Sequence, residues 1–195
     1  MNITTADIQK LREQTGVGMM DAKKALTAAD GDMTAAVEAL RKKGQKIAAS
    51  KSDRAVKEGA VGTYIHSNGK IAALVAVACE TDFVARTDAF QQLIKDLAMH
   101  VAAMNPAYLK PEDVPAEVVA KEQEIYREQL IAEGKPEAML EKILPGKLKK
   151  FYSDVCFLEQ AFVKDDSQTI AQLVELTIAK LGENIQVTAF SRLAV

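Results

Sequence analysis

The 195-residue chain is 48% hydrophobic and 27% charged, which suits one folded core or a compact core with a small satellite, and excludes a disordered chain. A formal net charge of -2 supplies no overall field to draw the protein onto nucleic acid or anionic lipid. The longest apolar run, residues 71–79, falls well short of the roughly 20 residues that a membrane-spanning helix needs.

Residues 1–7 carry neither the basic nor the apolar region of a signal peptide, and they are not the Arg- and Ser-rich segment of a transit peptide. Cys79 and Cys156 stand alone, form no CxxC, and have only His66 and His100 as imidazole company, so spacing assembles no metal cluster. A cytoplasmic protein with no metal and no cofactor is expected.

Residues 1–44 read as three short helices. Ile8, Leu11 and Thr15 form a stripe behind a Thr4/Thr5 cap. Ala22, Ala25, Leu26 and Ala29 form a second after Gly16-Val17-Gly18, and Met33, Val37 and Leu40 a third behind Asp32, a good N-cap residue. Gly31 and Gly44 fall where C-terminal glycines belong. A bundle this small buries little by itself and should lean on the rest of the protein or on a partner.

Across residues 41–57, seven basic side chains face the single acid Asp53. With no aromatic residue to stack on bases, a partly helical, solvated hinge over 45–57 is the expectation, and RNA binding the rival.

A hairpin follows, with strands over 62–66 and 70–78 flanking Ser67-Asn68-Gly69; Asn-Gly favours a type I′ turn. The second strand is apolar at both parities, as if covered on both faces. Phe90, Leu93, Ile94, Leu97, Ala98 and Val101 then make a helical stripe that stops before Pro106. Residues 111–150, rich in Glu and Lys and punctuated by proline, suggest two exposed antiparallel helices. A β segment over 156–163, a helix over 167–181 stopped by Gly182, and a strand over 185–190 complete the chain. Without a regular βαβ repeat, the fold class is α+β with a small antiparallel sheet packed by helices. The expected divisions are a bundle at 1–44, a basic linker at 45–57 and a core at 58–195, with the helical projection at 111–150.

Catalytic chemistry has no visible home. Pro145-Gly146-Lys147 lacks the leading glycine and the hydroxyl of a phosphate loop, and neither GxGxxG nor GxSxG occurs. His100 lies on an apolar helix and reads as structural, His66 as a solvated turn residue, and Cys79 as a small buried hydrophobe. The protein is therefore not expected to be an enzyme.

Two segments stand apart. In residues 15–26, Met19 and Met20 follow a glycine loop at a helix start; they could fill a core or serve as an adaptable binding surface. In residues 79–90, Phe83 could plug the core and Asp82 cap a turn, but loops at strand ends carry function disproportionately.

The pattern Thr15-Gly-x-Gly-Met19-Met20-Asp-x-Lys-Lys-Ala-Leu26 resembles the N-terminal signature of the elongation factor Ts family, and Glu80-Thr81-Asp82-Phe83-Val84-Ala85-Arg86 matches its second signature. Leu158-Glu-Gln-Ala-Phe162-Val163, with the helix and strand that follow, resembles the family's C-terminal core. The resemblance spans the chain in the right order. Longer members carry a duplicated core and a coiled-coil excursion; this chain resembles the short form, in which a homodimer supplies the second half.

The resemblance implies a guanine-nucleotide exchange factor whose partner is GDP-bound elongation factor Tu. It implies that the N-terminal bundle, similar to a ubiquitin-associated domain, docks through Arg12, Met19 and Met20. It also implies that Thr81, Asp82, Phe83 and Val84 dislodge the partner's magnesium ion, so that GDP leaves. A helical adaptor without effect on nucleotide, and an RNA binder using residues 41–57, are the competing readings.

Overall fold

The computed structural model describes residues 3–195; Met1 and Asn2, where the expected bundle and the segment read for a signal peptide begin, lie outside the described residues. The bundle is formed by α1 (Thr5–Thr15), α2 (Met19–Ala28) and α3 (Met33–Ala49). Thr4 caps α1 in a reciprocal box with Asp7, and the Asp32 carboxylate accepts the amides of Thr34 and Ala35 at the start of α3. Ile8, Leu11, Ala22, Leu26, Ala36, Val37 and Leu40 meet in a small apolar cluster of their own.

Gly44 does not end α3. The helix runs through the expected bundle–linker boundary to Ala49, and Gly44 sits where a Cβ would lie 3.3 Å from Leu176 Cδ2. The missing side chain lets α3 approach the helix α8 (Ile170–Leu181) closely, and Ala48 already belongs to the main core. The basic stretch stays largely exposed, but four of its cations are tied to other parts of the chain. The Arg41 guanidinium donates to Ser167 Oγ, Lys43 pairs with Asp21 at 2.7 Å, Lys51 donates to the Gly182 carbonyl, and Arg54 lies 3.5 Å from Glu80. Cations engaged in such contacts are less free to meet phosphates.

The main sheet is antiparallel in the order β1 (Glu58–Ile65), β2 (Ile71–Cys79) and β5 (Ile185–Ala194). In the turn joining β1 to β2 the Gly69 amide donates to the His66 carbonyl, and Gly69 carries the left-handed φ of 69°. Asn68 has no positive φ, so the turn is not type I′, which needs two successive left-handed residues. The final strand extends past Phe190 to Ala194, pairing along the whole of β2.

The two faces of β2 are unequal. Ala73, Val75, Val77 and Cys79 are buried under α5 (Asp88–Met104) and α8, whereas Leu74 on the other face is exposed. The expected double cover is therefore single, because every helix packed on this sheet lies on one side. On that side α5 approaches β1 at Gly62, where a Cβ would fall 1.8 Å from Ile94 Cγ2. No larger residue fits there.

The projection consists of α6 (Ala116–Ala132) and α7 (Glu137–Val155), two helices packed on each other, with α7 extending five residues beyond the expected limit. Residues 156–163 are not one strand. Cys156 makes a single parallel bridge to Tyr108, Phe157–Glu159 form a 3-10 turn, and only β3 (Ala161–Phe162) is extended. β4 (Asp165–Thr169) pairs with β3, so α8 starts three residues later than the sequence suggests; Thr169, not Ser167, makes the capping box, with Gln172. Among the described residues no helix is long and apolar enough to cross a membrane.

Candidate functional site

The link between β2 and α5 carries the most exposed aromatic ring of the core. α4 (Asp82–Ala85) is one helical turn, capped by the Thr81 hydroxyl, which accepts the Val84 amide at 3.4 Å. A lone turn is unstable by itself, since fixing its dihedrals outweighs its first hydrogen bonds. Here it is pinned from several sides. The Gln91 side-chain amide donates to the Ala85 carbonyl, and the Thr87 hydroxyl, which caps α5, donates to the Val84 carbonyl. At its start, Thr81 gives both its amide and its hydroxyl to the Glu183 carboxylate.

This scaffold sorts the four residues 81–84 into different roles. Val84 packs against the main core and Ala85 is buried, while Phe83 is 79% exposed. The core-plug alternative for Phe83 is thereby excluded. Asp82 forms a 2.9 Å ion pair with Arg86, both exposed and one turn apart. Such a surface pair contributes little to stability and mainly orients the carboxylate.

At the bundle, Met19 and Met20 occupy the first turn of α2 and are 42% and 66% exposed, so neither fills the small core. Arg12, on the outer side of α1, is exposed and lines the same open depression as Gly16, Val17 and Gly18, the loop that leads into Met19. Thr15 and Gly16 at the head of this segment share a second depression, of about 320 Å³, with Ala89 and Gln92 just beyond the Phe83 turn. The packing of α3 on α8 thus brings the start of the first signature beside the first turns of α5, the helix that follows the Phe83 turn.

The remaining reactive groups are quiet. The Cys79 thiol is buried, donates to the Thr81 carbonyl, and is pushed up from its ordinary pKa by burial; burial likewise pushes Cys156 up to about 11. Both are therefore held as thiols, which are poor nucleophiles. His100 is fully buried. Its Nδ1 accepts the Val163 amide, which assigns the proton to Nε2 for donation to Gln160 Oε1 at 3.0 Å. His66 is exposed, with Nδ1 3.2 Å from the Tyr64 hydroxyl. Among the described residues no three His, Cys, Asp or Glu side chains gather as a metal site would require.

Nothing in the sequence points to Glu183 or Asn184, and Glu80 stands in it only as the first residue of the second signature. Glu183 meets Thr81 across 102 positions and Asn184 meets Glu80 across 104, a juxtaposition with no local signature.

The elongation factor TS family model matches residues 4–195. The chain is 56% identical over 193 residues to elongation factor Ts of Maridesulfovibrio salexigens, covering 99% of this chain and 94% of that protein. It is 53% identical over 192 residues to elongation factor Ts of Geobacter sulfurreducens, covering 98% and 89%. With elongation factor Ts of Fervidobacterium nodosum it shares 52% identity over 195 residues, covering 100% and 99%. The matches run through both signature segments, and the chain belongs to the elongation factor Ts family of translation elongation factors.

Proposed function

We propose that the protein is a cytoplasmic guanine-nucleotide exchange factor that binds GDP-bound elongation factor Tu, dislodges its magnesium ion and promotes GDP release, so that GTP can rebind. The observation that carries this reading is the exposed Phe83 ring on a turn pinned at both ends. A free ring on a rigid mount can enter a partner without first paying to order itself. The bundle, similar to a ubiquitin-associated domain, docks through Arg12, Met19 and Met20. Asp82 and Phe83 then intrude near the switch region, with Thr81 and Val84 as their anchors.

The chemistry needs no covalent step, and the protein acts without being an enzyme. Magnesium neutralises phosphate oxygens at a GTPase site, so disturbing its coordination leaves the diphosphate less compensated. Linkage makes the effect reciprocal: the factor by which this protein weakens nucleotide binding is the factor by which nucleotide weakens its own.

The working unit is a homodimer. The uncovered sheet face presents Val61, Ile65, Ala72, Leu74, Ala76 and Leu193, and its other positions, such as Thr63 and Ser191, bear no charge. Charge depletion around exposed aliphatic side chains marks an interface core. A second copy presenting the same face closes it by two-fold symmetry.

Stopped-flow release of a fluorescent GDP analogue from elongation factor Tu, with and without the protein, tests the reading. Acceleration is expected; an unchanged release rate with bound protein would leave the adaptor reading instead.

A further inference from the structure

The β2–β5 ladder ends at the pair Cys79 and Ile185. Beyond it the two chains part, and side-chain carboxylates take over the role of backbone carbonyls. Glu183 Oε2 accepts the Thr81 amide at 3.0 Å, and Glu183 Oε1 accepts the Thr81 hydroxyl at 2.7 Å. In return Glu80 Oε1 accepts the Asn184 amide at 2.6 Å. Each segment thus caps the other. Asn184, itself buried, extends the tie by donating from Nδ2 to the carbonyls of Ser52 and Arg54, just past α3.

We propose that Glu183 is a positioning residue for nucleotide exchange: it acts by fixing Thr81, and through Thr81 the turn that presents Phe83. The inference rests on the reading of Phe83 as the group that enters the GTPase. The hydroxyl of Thr81 can cap α4 only if its lone pair faces the Val84 amide. Donating its proton to Glu183 is what orients it so. The other polar groups of Thr81 are engaged too: its amide donates to Glu183, and its carbonyl accepts from the Ala85 amide and the Cys79 thiol. Hydrogen bonds to a carboxylate are shorter and roughly twice as strong as neutral ones. Among the described residues both hydrogen bonds of the Glu183 carboxylate go to this single residue, the N-cap of the Phe83 turn. Asn184 and Glu80 carry the same restraint to the segment leaving α3, so the Phe83 turn is held relative to the bundle as well as to the sheet.

Glu183→Ala, Glu183→Gln and Phe83→Ala in the full chain, with the double variant Glu183→Ala/Phe83→Ala, separate the possibilities. Glu183→Ala should slow protein-stimulated GDP release from elongation factor Tu about tenfold, as expected for losing charge-assisted hydrogen bonds. It should add nothing in the Phe83→Ala background, and amide exchange at Val84 and Ala85 should accelerate while that of Val75 and Val77 does not. Glu183→Gln, which keeps one acceptor in the same shape, should fall between and preserves the test should the alanine variant fold poorly. Normal release by both Glu183 variants beside a defective Phe83→Ala would overturn the positioning role alone. So would a Glu183 loss that persists in full in the Phe83→Ala background. An unimpaired Phe83→Ala would instead remove the parent reading, and the inference with it.

Discussion

Phe83 and Val84 are adjacent on one helical turn, yet Val84 packs into the main core while Phe83 stands 79% exposed. A rotation of about 100° per residue separates the two side chains. The inward residue fixes the turn, and the outward one is left free to act.

Truncating Phe83 should therefore separate stability from function. A buried Phe cut to Ala usually loses about 3–5 kcal/mol of stability, whereas Phe83→Ala should leave denaturant unfolding nearly unchanged. An interface anchor can be worth about 2 kcal/mol or more in binding, roughly thirtyfold in affinity, and stimulated GDP release should fall accordingly. Asp82→Ala should give a milder loss. Chelating magnesium should narrow the gap between wild type and Phe83→Ala; gaps of equal size with and without the metal would mean that Phe83 only assists docking.

The exposed methionines give a second test. Met19→Ala with Met20→Ala should weaken binding to elongation factor Tu, measured by titration calorimetry, while the melting temperature stays close to wild type. A collapse of the melting temperature would return both residues to the bundle core, against their exposure.

Dimerisation should depend on the open sheet face. Light scattering at micromolar concentration is expected to report twice the 21.2 kDa chain mass. Leu74→Glu sets a charge on the central strand, where two-fold symmetry brings two copies of it to one interface. The variant should run as a monomer with an unaltered far-ultraviolet spectrum. A wild-type protein that is already monomeric while exchanging nucleotide would end the dimer proposal.

His100 predicts a pH dependence. Burial lowers its pKa below 6.5, so the unfolded chain binds this proton more readily than the folded one. The stability that His100 contributes is present above pH 6.5 and is lost as pH falls below it towards the folded value. Urea midpoints should accordingly drop between about pH 7.5 and 5.5, the range bracketing an ordinary imidazole. His100→Gln, neutral throughout, should be less stable at the upper end but show a flatter profile. Parallel slopes for the two proteins would assign the effect to other groups.

The helices of this protein were legible in the residue order because their determinants are local. Thr4 and Asp32 cap, Phe90 to Val101 repeat at helical spacing, and Gly182 stops α8, all within a turn or two of chain. The α+β class, the hairpin at Asn68-Gly69, and the two signature segments followed from the same short-range information. The errors share the opposite cause. Gly44 looks like a helix terminator until Leu176 comes from 132 residues away to occupy the space beside it. The apolar run of β2 cannot say which of its faces is covered, since that depends on α5 and α8 both lying on one side. Ser167–Thr169 resembles a helix start and instead ends a strand, because β3 is there to pair with it. At the candidate site, the family resemblance carried by the sequence named the residues to consider: Arg12, Met19, Met20, Thr81, Asp82, Phe83 and Val84. Tertiary structure decided that Phe83 faces outward and Val84 inward, and that Glu183 reaches Thr81. Burial and long-range hydrogen bonds are properties of the packed chain, and no run of neighbouring residues contains them.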